Sequence, residues 1–164
     1  MPLDNPRDMF LYEIGARRDA ERSAELLQDL LIDRVPGSRL EPVLRRQAEE
    51  IQRHLENIDG CLGTLGVSLT ETGSTGVEGL RSSFEHFLRL QPTAELRELF
   101  AALTAIRVLH LAIASYRVLV DQAMLIGEQQ CAQVMLTNLI QKEQSVADLV
   151  RLNHDLGQHV LVPA

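Results

Sequence analysis

Apolar residues recur along this chain at the three-and-four spacing of α-helices, and no segment alternates in the manner of a strand. The dominant run lies between Pro92 and Gly127. From Ala101 to Val120 it is interrupted only by Thr104, Arg107, His110, Ser115, Tyr116 and Arg117. Such a helix is apolar around most of its circumference and is predicted to be the central helix of a bundle. At ~1.5 Å per residue it would be about 50 Å long. Two arginines and a histidine near its middle would each be costly in hydrocarbon, which argues against a membrane span. Thr93, with Glu95 in the first turn, marks its start, and Gly127 marks its stop.

The other elements follow in chain order. A first helix is predicted from about Pro6 to Arg34, with Asn5 as cap and Phe10, Ile14, Ala20, Ala24, Leu27, Leu30 and Leu31 as its apolar face. Val35-Pro36-Gly37-Ser38 is short enough to turn the second helix antiparallel to the first. That helix carries Leu40, Leu44, Ile51, Leu55, Ile58, Leu62 and Leu65 on one stripe and stops at Gly66. The pattern lapses from Val67 to Gly76, and a short helix is predicted from about Val77 to Leu90. A crossover of that length, Val67 to Gln91, would leave the second and third long helices parallel. The last helix begins after Gly127, turns Ala132, Met135, Leu136, Leu139, Val146 and Val150 inward, and fades near Gly157. The expectation is therefore an all-α, ferritin-like four-helix bundle with an additional short helix in the crossover, forming one domain over residues 1–164.

Composition narrows the function classes. A hydrophobic content of 45% and a charged content of 24% are ordinary for a globular chain. With no Trp and few aromatics, the core must be built from Leu, Ile, Val and Ala. The formal charge of −7 argues against nucleic acid as a partner, because phosphate backbones are bound by clustered Lys and Arg. An acidic chain also lacks the basic polar face of a membrane-surface helix. Cys61 and Cys131 sit within amphipathic patterns, so buried thiols are expected rather than a disulfide. The N-terminal residues lack the basic start and apolar core of a signal peptide, and a cytoplasmic location is the expectation. Phosphate loops, zinc-spaced cysteines and local nucleophile–base pairs are absent from the sequence.

Four stretches occur in a telling order: DMFLYEIGARRDAE (Asp8 to Glu21), EEIQRHLENIDGCLGTLG (Glu49 to Gly66), VEGL (Val77 to Leu80) and RVLHLAIASYRVL (Arg107 to Leu119). In that order they resemble the YciF-like family of bacterial ferritin-like proteins, DUF892. The resemblance covers nearly the whole chain and implies a compact bundle that pairs into homodimers, an association with stress responses, and no firmly assigned reaction.

Ferritin-like bundles that do chemistry hold two metal ions with a Glu from each of two helices and a Glu-x-x-His pair from each of the other two. Such oxygen-rich donors balance the charge of two cations while leaving positions open for oxygen or peroxide. The metal candidates here are Glu21 in the Asp19-Ala20-Glu21 run, Glu50 and His54 four apart on the second helix, and Glu143 on the last helix. Glu143 is expected to face inward between Leu139, Val146 and Val150. On the third helix the resemblance implies carboxylates where this chain has Leu109 and Ala112, neither of which can bind a metal. His110 points elsewhere, onto a face shared with Arg107, Arg117 and Asp121, read as a polar seam opposite Glu78 or Glu85 of the crossover helix. As ordinary ion pairs, Glu21 would meet Arg17 or Arg18, and Glu50 would meet Arg46 or His54.

The expectation is a non-enzymatic homodimer with a degenerate di-metal site, no catalytic residue and no cofactor. The alternative is an iron- or manganese-binding oxidase, peroxidase or iron-binding protein that uses Glu21, Glu50, His54 and Glu143. Dimerisation is expected on residue grounds too, because the third long helix has more apolar surface than one bundle covers.

Overall fold

The structure is a computed structural model that describes residues 3–67 and 74–163. The helices are α1 (Pro6–Arg34), α2 (Glu41–Leu65), α3 (Thr75–Arg89), α4 (Ala94–Leu125) and α5 (Gln129–Leu161), and the described residues contain no strand.

Their ends follow local chemistry. Asn5 accepts from the Asp8 amide at 3.0 Å, with Pro6 in the first turn. Between α1 and α2, the Ser38 hydroxyl accepts from the Glu41 amide at 3.1 Å while the Glu41 carboxylate accepts from the Gly37 amide at 2.8 Å. These two bonds close the turn that leads into α2, whose N-cap Leu40 has no side-chain cap of its own. Gly66 ends α2 in the left-handed region at φ 69°, and Gly127 does the same after α4 at φ 84°. The short helix begins at Thr75, two residues before the expected Val77, because the Ser74 hydroxyl accepts from the Val77 amide. The expected Ser/Thr/Gly connection falls largely on residues 68–73, outside the described residues. The last helix does not fade at Gly157 but continues to Leu161.

The buried apolar residues form two clusters stacked along the bundle. One joins Leu27 and Leu31 of α1, Leu44 and Ile51 of α2, Ala101 and Ala105 of α4, and Leu149 and Leu156 of α5, with Val77 and Phe84 of α3. The other joins Phe10 and Ile14, Ile58 and Leu62, Leu119 and Ala123, and Cys131 and Met135. Membership fixes the directions. The early turns of α2 and α4 share one cluster and their late turns the other, so these two helices are parallel, whereas α1 and α5 run opposite to them. That is the topology expected of the long crossover.

Helix α4 is long and apolar enough to cross a membrane by length and composition, with a mean hydropathy of 1.6 over its most apolar window. In the bundle it packs against α1, α3 and α5. Small side chains at Ala101, Ala102, Ala105, Ala112 and Ala123, all buried, let its neighbours approach closely. Cys61 and Cys131 are both buried free thiols. Burial, reinforced by the neighbouring Cys131, pushes the Cys61 thiol up to about 12, so it stays protonated.

Candidate functional site: a buried polar layer

Between the two apolar clusters lies a band of polar side chains: Arg17 and Glu21 from α1, Glu50 and His54 from α2, and Asn138, Lys142 and Ser145 from α5, all buried. Tyr116 reaches into it from α4 and is fully buried. Glu21 is its centre. One carboxylate oxygen accepts from the Tyr116 hydroxyl at 2.7 Å, and the other accepts from Lys142 Nζ at 3.0 Å. Arg17 lies 3.7 Å from the first oxygen, with its guanidinium 5.4 Å from the centre of the Tyr116 ring.

Asn138 carries the network across the bundle. Its amide donates to the Tyr116 oxygen at 3.2 Å and to the His54 carbonyl at 3.4 Å, and its own oxygen accepts from Asn57 at 2.7 Å. His54 Nε2 pairs with the Gln141 side-chain oxygen at 2.7 Å, while Nδ1 is buried without a hydrogen-bond partner. One turn away, Ser145 donates to Glu50 at 2.6 Å.

The electrostatics follow from this burial. Desolvation alone would raise the Glu21 pKa. The charges of Lys142 and Arg17, with the Tyr116 hydrogen bond, outweigh it and hold the carboxyl at about 2. Burial lowers the Lys142 pKa against the opposing pull of Glu21. Burial, then the nearby Lys142 charge, brings His54 down to about 4, so it is neutral at pH 7. The Tyr116 hydroxyl is raised well above its ordinary value, first by burial and then by Glu21.

Three of the four residues singled out in the sequence therefore meet in one layer: Glu21, Glu50 and His54. Glu143 does not. It lies on the outer flank of α5, 41% exposed, and accepts from Arg117 of α4 at 2.7 Å. The inward line of α5 runs one residue earlier, through Cys131, Met135, Asn138, Lys142, Ser145 and Leu149. Of the residues expected inside, Ala132, Met135 and Leu139 are buried and Val146 packs partly buried against both clusters, whereas Leu136, Glu143 and Val150 lie on the outer flank. Glu21 keeps Arg17, an expected partner, at 3.7 Å and gains a closer one. Lys142, absent from the sequence reading, supplies the close ion pair. Its signal was the four-and-three spacing of Asn138, Lys142 and Ser145, in phase with Met135 and Leu149.

On α4, Leu109 and Ala112 are buried, so neither of these two inward positions offers a metal ligand. His110, Arg107, Arg117 and Asp121 share an exposed face. At Arg117 that face meets α5 rather than the crossover helix, whose Glu85 pairs with Arg81 of its own turn.

A metal fits this layer poorly. Among the described residues no three His, Cys, Asp or Glu side chains come together in a way that would hold an ion. Both oxygens of Glu21 already accept hydrogen bonds, and a cation already stands against one of them.

The DUF892 family profile, a domain of unknown function, matches residues 5–158. The chain belongs to this family. Solved structures show the same fold at low identity. The chain is similar to the E. coli stress protein YciF at 19% identity and a TM-score of 0.88, covering 94% of this chain and 98% of that one. It is similar to YcfI from Rhodopseudomonas palustris, described as a candidate structural protein, at 20% identity and a TM-score of 0.85, covering 91% and 96%. A protein from Xanthomonas campestris shares 22% identity and a TM-score of 0.78, covering 96% and 97%. No curated protein matches the chain. Within DUF892, then, this member has a ferritin-like bundle with a buried polar layer between its two apolar clusters.

The exposed position of Glu143 gives a direct test. Glu143→Gln should change the urea unfolding free energy by less than about 1 kcal/mol, as expected for a solvated ion pair. A larger loss would mean that Glu143 is held inside the bundle.

Proposed function

We propose that this DUF892 protein is a non-enzymatic, homodimeric structural protein of the stress-associated type, working in the cytoplasm, with a degenerate di-metal site. The observation that carries the proposal is the stripe on α5. Leu136, Ile140 and Val150 are each more than two-fifths exposed. With Glu143 and Ala147 between them they repeat at four-and-three spacing, an apolar seam outside the bundle interrupted by the Arg117–Glu143 ion pair. Apolar stripes of this length on a soluble surface mark association sites. A second copy is the occupant because a helix seam of heptad spacing is self-complementary when two copies meet antiparallel about a two-fold axis.

The degenerate site rests on Leu109 and Ala112, which put hydrocarbon at the inward positions of α4. Names attached to similar structures, stress protein and candidate structural protein, agree with this reading.

Light scattering should give twice the 18.3 kDa chain mass. Ile140→Lys should give a folded monomer, with the helical circular dichroism kept. A wild-type monomer at high micromolar concentration, or an unchanged dimer in the variant, would remove α5 as the interface.

A further inference from the structure

The i, i+3 spacing of a Glu-x-x-His ligand pair is present on the inward face of α5, but at Lys142 and Ser145. Each residue is bonded to one surviving carboxylate of the layer: Lys142 Nζ to Glu21 at 3.0 Å, and the Ser145 hydroxyl to Glu50 at 2.6 Å. The pairing is complementary in charge and in hydrogen-bonding role. An ammonium faces the carboxylate that is 0% exposed, and a neutral donor faces the one at the edge of burial, 9% exposed. Arg17 adds a second positive charge at 3.7 Å from Glu21.

We infer that Lys142 is a resident cation: its ammonium occupies the place between α1 and α5 where a metal would stand, and it satisfies the layer's buried charge permanently. A metal ion bound there would have to displace a buried ammonium from its carboxylate partner Glu21 and leave two positive charges, Lys142 and Arg17, facing it. This inference rests on reading the di-metal site as degenerate and is independent of the dimer, so a monomeric protein would leave it intact.

The test uses cobalt(II) as the probe, followed by its visible absorption under anaerobic conditions and by thermal unfolding. Wild-type protein should take up no stoichiometric cobalt, and its melting temperature should not move. Lys142→Glu removes the cation and adds a donor beside Glu21, Glu50 and His54. It should bind cobalt stoichiometrically, and cobalt should raise its melting temperature, because binding to the folded state alone is linked to stability.

If that variant folds only when cobalt is present during refolding, the inference is equally supported. If it folds under neither condition, the decision passes to a double-mutant cycle. Lys142→Met should lower the melting temperature of the wild-type protein far more than that of Glu21→Gln, whose neutral amide no longer needs the ammonium. Equal losses in both backgrounds would overturn the inference. So would stoichiometric cobalt in the wild-type protein, or a folded Lys142→Glu variant that takes up none.

Discussion

Glu21→Ala should lower the unfolding free energy by about 3–5 kcal/mol, among the larger losses available to a single substitution. The carboxylate is fully buried and balances Lys142 and Arg17, both buried themselves. Its removal takes the nearest counter-charge from two cations in a low-dielectric interior, leaving Lys142 only the weaker pull of Glu50, and it also strips the Tyr116 hydroxyl of its acceptor. Glu21→Gln should be milder, since the amide oxygen can still accept from Tyr116. Urea unfolding followed by circular dichroism at neutral pH measures both. A loss below about 1 kcal/mol for Glu21→Ala would mean that water enters the layer and screens it.

Acid should unfold the protein in two stages, each with a named group. His54 is held at about 4, against an ordinary 6.5. The unfolded chain takes up its proton first, so stability falls as pH drops from about 6.5 towards 4. Glu21 is held at about 2, against 4.5. Its contribution is complete above about 4.5 and is lost as pH falls towards 2. Each shift corresponds to about 3 kcal/mol if fully expressed. Urea midpoints measured from about pH 7 to about pH 3 should therefore decline across both windows. His54→Gln should flatten the upper one and leave the lower one in place. A wild-type midpoint constant between about pH 7 and pH 5 would contradict the assignment to His54.

Apart from the start of α3 and the end of α5, helix boundaries were legible in the sequence because their causes are local. Asn5, Thr93, Gly66 and Gly127 act on amides and carbonyls within a few residues, and each does so where the sequence placed it. The apolar part of the inward face of α5, Ala132, Met135 and Leu139, was legible, but its polar part was not, for a physical reason. Sequence periodicity locates hydrocarbon, and on this helix hydrocarbon lies on two adjacent stripes. The outer stripe, Leu136, Ile140 and Val150, is nearly as apolar as a core face, while the inner one carries Asn138, Lys142 and Ser145. Choosing by hydrophobicity placed Glu143 inside and left Lys142 unnoticed. What overrides hydrophobicity here is pairing across the bundle: Glu21, 121 residues earlier in the chain, requires a donor at that height. Such a requirement is invisible until the helices are assembled. Glu50 and His54 were found because their spacing alone puts both on one surface patch, yet their partners, Ser145 and Gln141, are equally remote in sequence.

The polar layer also sets the vertical alignment of the helices. A bundle filled by Leu, Ile, Val and Ala, with Tyr116 among its few aromatics, offers many nearly equivalent ways for one helix to slide along another, since a step of one turn, about 5.4 Å, replaces aliphatic side chains with aliphatic side chains. At this layer the equivalence ends. Tyr116 of α4 and His54 of α2 meet edge to face across the centre at 6.3 Å, and Asn138 of α5 bonds to both residues while Lys142 holds Glu21 of α1. Sliding any one of the four long helices by a turn would strand a buried charge or amide against hydrocarbon. A single plane of hydrogen bonds thus acts as a vernier, admitting one alignment among many that the apolar packing above and below would tolerate.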